Sequence, residues 1–184
     1  MPMELEDAAH KILSAVGEDP EREGLRRTPA RFSESIQYLT SGYRGSIDDI
    51  LKGAVFKEDT RDMVIVKDIE FYSLCEHHII PFFGICHIGY IPDGKVLGLS
   101  KFARVVELFS RRLQLQERLT HEIAEALMKS LKPLGIGVII EAKHLCMMMR
   151  GVEKQGSELV TSVMLGCFRR NSNTRNEFLR LIGK

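Results

Sequence analysis

Apolar positions over the first fifty residues recur with helical spacing. Leu5, Ala8, Ala9, Ile12, Leu13 and Val16 stand at i, i+3, i+4, i+7, i+8 and i+11, one face of an amphipathic helix. Gly17 ends it and Asp19-Pro20 turns the chain. Thr28-Pro29 reads as a cap followed by proline at the first helical position, predicting a second helix through Phe32, Ile36 and Leu39 to a stop at Gly42. Ser46 is placed to cap a short third helix through Ile50 and Leu51.

From about Val55 the pattern changes. Residues 63–71 and 85–91 are β-branched and strand-like. Pro92-Asp93-Gly94-Lys95 is a turn signal, and Val96-Leu97-Gly98-Leu99 can return beside the second of these strands as a hairpin. Ser100 then stands as the cap of a long helical stretch carrying Val105, Phe109 and Leu113 on one side. After a break near Leu115, the period continues through Leu119, Ile123, Leu127 and Leu131 until Pro133 and Gly135. Residues 136–142 and 159–168 are further strands, and a capped helix over 173–182 follows. Hairpin strands with helices grouped between them predict an α+β fold with a largely antiparallel sheet. The change in texture divides the chain into a helical arm, 1–54, and a main body, 55–184.

Composition narrows the possibilities. The chain has 184 residues, 44% hydrophobic and 28% charged, an ordinary globular mixture with ample material for a core. A formal net charge of +1 argues against a nucleic-acid-binding arm or an acidic tail. No apolar run approaches the roughly 20 residues of a membrane helix. The acidic N-terminal stretch lacks the apolar centre of a signal peptide, which predicts a cytoplasmic protein. There the four cysteines are expected as free thiols, ligands or nucleophiles rather than disulfides.

The densest chemistry is Ser73-Leu74-Cys75-Glu76-His77-His78. Two residues separate Cys75 from His78, a spacing that lets a thiolate and an imidazole face one cation. His and Cys also come close at Lys143-His144-Leu145-Cys146. Cys75, His78 and Cys146 would form a Cys2His site whose fourth position is open, the pattern of catalytic zinc. Cys86 and Cys167 sit among apolar neighbours and read as core residues. His10 and His121 read as surface residues on helices, and His87 fits either class. Ser100, Lys101 and Arg104 stand at a helix start, where backbone N–H groups favour anions, though a solvated helix face explains them as well. Gln116-Glu117-Arg118 and Arg150, which follows Cys146 closely, have the same two readings.

With these motifs in order, the chain closely resembles GTP cyclohydrolase I. The resemblance rests on Ser73-Leu74-Cys75-Glu76-His77-His78, Gly98-Leu99-Ser100-Lys101, Gln116-Glu117-Arg118-Leu119-Thr120, His144-Leu145-Cys146-Met147-Met148-Met149-Arg150-Gly151 and Asn173-Thr174-Arg175-Asn176-Glu177-Phe178-Leu179. It runs from about Glu4 to the last residue.

The resemblance implies the tunnelling fold, in which the strands of several subunits close into a barrel, and a homodecamer of two pentamers. It implies conversion of GTP and water into 7,8-dihydroneopterin triphosphate and formate, the first step towards tetrahydrofolate and other pterins. By the same resemblance, Cys75, His78 and Cys146 hold Zn2+. His77, His144 and Ser100 serve catalysis. Glu117 and Gln116 belong to guanine recognition. Lys101, Arg104, Arg150 and, as a weaker match, Arg31 meet the triphosphate. Two other classes share parts of this pattern: a nitrile reductase or pyruvoyl-pterin synthase on the same fold, and a zinc-stabilised assembly protein without catalysis. The first lacks the Cys2His set, and the second has no use for His77, His144 and Glu117 together.

Overall fold

The computed structural model describes residues 2–184. The chain divides into two compact units, one ending at Ser41 and the other spanning Gly42–Lys184. The first holds two helices, α1 (Pro2–Ala15) and α2 (Thr28–Leu39), which pack on each other. Thr28 is the first residue of α2, and Arg27 rather than Thr28 takes the cap position, without a side-chain cap bond. Proline at the helix start leaves no donor there to satisfy, so the missing bond costs little.

A short 3-10 turn (Ser41–Arg44) leads into the second unit, which continues with α3 (Ile47–Leu51), β1 (Val55–Lys57), β2 (Val64–Cys75), β3 (Pro81–Ile91) and β4 (Lys95–Leu97). There follow α4 (Leu99–Ser110), β5 (Leu113–Gln114), α5 (Gln116–Leu131), β6 (Gly135–His144), α6 (Leu145–Met148), β7 (Leu159–Gly166), α7 (Cys167–Arg170) and α8 (Ser172–Ile182). The main sheet has the order β5-β2-β3-β6-β7. Its pairs are antiparallel except β2–β5, which is parallel over two residues. The α+β class read from the sequence is the class observed.

Two local readings are corrected. β4 does not return beside β3; it pairs antiparallel with β1 in a separate ribbon. The reason is topological: β3 is hydrogen-bonded to β2 on one side and β6 on the other, so no edge remains for a third partner. Ser100 is not the cap of α4. Gly98 holds that position, Leu99 opens the helix, and Ser100 is exposed in its first turn. The break near Leu115 is real, and β5 lies just ahead of it, with Leu115 capping α5.

Helices cover both faces of β6, which accounts for its unbroken burial from Gly135 to Ala142. On one face Phe102, Val105 and Val106 of α4 and Leu119, Ile123 and Leu127 of α5 meet Phe71, Phe82, Ile88, Val138 and Ile140. On the other, Phe168 and Phe178 of α7 and α8 pack with Ile139 and Met164. Gly89 and Gly137 are register partners on β3 and β6. A Cβ on Gly89 would stand 2.6 Å from the Phe178 ring, and one on Gly137 2.8 Å from Phe168. The glycine pair is the hollow that receives both rings. Cys86 is fully buried as expected, and Cys167 is half-buried in the second core. His87 is structural: its Nε2 lies 3.2 Å from the buried Glu141, and its Nδ1 accepts the N–H of Asp68 at a bulge in β2.

Candidate metal centre

The β2–β3 turn carries the first two ligands of the expected metal site. β2 ends at the buried Cys75, whose N–H donates to Ile80 O at 2.9 Å. The N–H groups of His78 and Ile79 both donate back to Cys75 O, at 3.3 and 2.8 Å. This tight turn places His78 Nδ1 3.9 Å from Cys75 Sγ. Ile79 closes it with φ at 55°, a left-handed conformation unusual for a β-branched residue, of the kind that collects at functional sites.

The third ligand arrives through the sheet. β3 runs antiparallel to β2 and β6 in turn to β3, with Phe82 opposite His144. β6 gives way to α6, whose second residue is Cys146. The ligand atoms of Cys75, His78 and Cys146 lie within 4.8 Å of one another, an arrangement that could hold a metal ion. Two thiolates and an imidazole suit zinc. Burial and the adjoining Cys75 thiol push the Cys146 thiol up, with Arg150 acting in the opposite sense. A divalent cation would reverse that penalty by compensating both thiolates, so the donor set fits such an ion.

His144, at the end of β6, is half-buried. Its ring lies flat on Phe82, centroids 4.5 Å apart and planes 3° from parallel. Its Nε2 is 2.9 Å from Gln116 Oε1. Burial lowers its basicity, and the Glu117 carboxylate partly restores it. A cavity of about 290 Å³ opens beside it, lined by Ala142, Cys146, Met147, Ser157 and Leu159 among others. Gln116 opens α5 and is buried, whereas its neighbour Glu117 is exposed. His77 is exposed, edge-on to the His78 ring at 6.1 Å.

The remaining expected site residues are more scattered. Ser100, Lys101 and Arg104 lie on the first turns of α4. Among the described residues, no hydrogen bond or ion pair joins them to the cysteine–histidine cluster. Arg150 follows α6 and is exposed. Arg31 lies on α2 of the first unit.

Sequence reasoning did not assign three supports. Phe82 underlies His144, a contact set by strand register. Thr120 and Thr161 share a hydroxyl–hydroxyl bond of 2.7 Å beside Gln116. Arg118 pairs with Glu76 inside the metal turn and donates through Nε to Gln114 Oε1 at 3.0 Å. The adjacency of Glu76 to Cys75 and of Arg118 to Glu117 was the available signal.

The family model for GTP cyclohydrolase I matches residues 5–183. The chain belongs to the GTP cyclohydrolase I family. A relative from Pseudoalteromonas translucida named GTP cyclohydrolase 1 is 60% identical over 182 residues, covering 99% of each chain. Proteins of the same name from Chromohalobacter salexigens and Methylococcus capsulatus are 57% and 58% identical, covering 99% and 98% of this chain and 99% and 97% of theirs. Among solved structures, the apo form of the archaeosine synthase QueF-Like aligns at 21% identity and a TM-score of 0.48, over 56% of this chain and 93% of that one. Membership in the GTP cyclohydrolase I family accounts for the shared order of motifs along both the metal turn and α5.

Proposed function

We propose that this chain hydrolyses GTP to 7,8-dihydroneopterin triphosphate and formate, in the manner of its family. The observation that carries the proposal is the meeting of Cys75, His78 and Cys146 within 4.8 Å, in a chain 60% identical over nearly its whole length to a GTP cyclohydrolase 1. Those three residues would hold zinc, which when bound would supply Lewis-acid activation of water near neutral pH.

Every other role falls to the protein's own groups. The exposed Glu117 carboxylate can accept hydrogen bonds from guanine N1–H and the exocyclic amine, a pattern adenine cannot return. His77, beside the ligand His78, would protonate the purine nitrogen as the imidazole ring opens. His144, on the other strand end and next to Cys146, would serve the later opening and rearrangement of the ribose, with Ser100 nearby in the bound complex. Lys101, Arg104, Arg150 and Arg31 would neutralise the triphosphate, for which guanidinium forks are well shaped.

The finer architecture belongs to the same reading: a tunnelling-fold body over 55–184, an arm over 1–54, and ten copies in two pentameric rings. It is supported by the open sheet edges. Among the described residues β7 pairs only with β6, and β2 has just the two-residue β5 on its outer side, so both edges could accept strands of other copies. No described helix is long and apolar enough to cross a membrane. Incubation with GTP, following formate release and pterin fluorescence alongside metal analysis, tests the function. A metal-replete protein that forms neither product would overturn it.

A further inference from the structure

We propose that Gln116 is a positioning residue that fixes the tautomer of His144, so that His144 exchanges protons with substrate through Nδ1. This rests on the reading of His144 as an acid–base residue. The resemblance places Gln116 in guanine recognition, yet its side chain is 1% exposed and its carboxamide is fully engaged. Its NH2 group faces Ile140 O at 3.0 Å, Leu159 O at 2.9 Å and Thr161 Oγ1 at 3.1 Å.

The two carbonyls decide which way the amide points. Turned over, Oε1 would meet two carbonyl oxygens, acceptor against acceptor, in a buried site. Oε1 therefore faces His144 Nε2, 2.9 Å away. An acceptor-only atom requires a hydrogen on that nitrogen, and a neutral imidazole carries one hydrogen, which leaves Nδ1 bare. Among the described residues Nδ1 has no hydrogen-bond partner.

The hydroxyls close the arrangement without conflict. Thr120 donates its hydrogen to Gln116 O at 2.7 Å, so Thr161 is the donor in the hydroxyl pair, and its oxygen remains an acceptor that shares the two NH2 hydrogens of Gln116 with the two carbonyls. Each hydroxyl hydrogen has one acceptor, so the directions within the network do not conflict. Phe82 sets the plane of the His144 ring, and Gln116 sets which nitrogen is protonated.

Two measurements test this. The wild-type protein, labelled with 15N at the histidine ring nitrogens, is studied by solid-state NMR at alkaline pH, with His144 identified by difference from H144N. A protonated Nε2 and a bare Nδ1 are expected; the reverse overturns the proposal. In kinetics, Q116M should lower kcat about tenfold or more while KM for GTP stays within about twofold, and Q116M/H144N should be no slower than H144N. A raised KM with kcat kept, or losses that multiply in the double variant, would make Gln116 a substrate contact instead. Should Q116M fail to fold, the wild-type spectrum still decides. If H144N turns over GTP normally, the acid–base reading of His144 falls, a result distinct from an inverted tautomer.

Discussion

At the scale of single residues, the proposed roles separate cleanly. Cys146→Ser should abolish zinc binding and turnover while leaving a folded protein, because a hydroxyl is a poor substitute for a thiolate and α6 is a surface turn of four residues. Full zinc occupancy in that variant would remove Cys146 from the ligand set. Glu117→Gln should keep its zinc but lose about tenfold or more in GTP turnover, since a charged hydrogen-bond pair is worth about 1.5–3 kcal/mol. Normal turnover would make Glu117 an ordinary residue of the α5 surface. The two non-ligand histidines should fail at different stages. Loss of His77 should stall the reaction at or before opening of the purine ring. Loss of His144 should permit that opening and let a formamide intermediate collect, and chromatography of the nucleotide pool distinguishes the two. Finding GTP untouched in both variants would refute the staging.

At the scale of elements, the sheet and its covering helices carry the fold. Gly137→Ala would thrust a methyl group into Phe168 and Phe178, and such overpacking costs about 1–3 kcal/mol. Denaturant unfolding should show that loss, and an unchanged midpoint would mean that α8 shifts freely. The helices were legible in the sequence because Leu119, Ile123, Leu127 and Leu131 repeat at a fixed period on one face of α5. The candidate metal cluster was legible from the close pair Cys75 and His78 and from His144 and Cys146, two residues apart. Strand partnership was not. Nothing local in Val96 or Leu97 tells that β3 is already paired on both sides, so β4 had to be found beside β1. The contacts of Gln116 were hidden for the same reason: Leu159 and Thr161 reach it through the pairing of β6 with β7, a register that no short window of sequence encodes.

At the scale of the whole molecule, the candidate metal site would tie the end of β2 to the segment after β6. Removing the metal leaves two thiols facing each other, so chelation in air should form a Cys75–Cys146 disulfide. Titration should then find two of the four thiols gone from each chain, and no loss would speak against their proximity. The same long-range tie has a consequence for how the protein is made. A growing chain presents Cys75 and His78 early, as a thiol–imidazole pair with little hold on zinc. Cys146 follows only after α4, α5 and β6 have been synthesised, and it comes into place only when β6 has paired with β3. A metal held by all three residues would therefore be acquired late in biogenesis, by a nearly complete chain in which β6 has already paired.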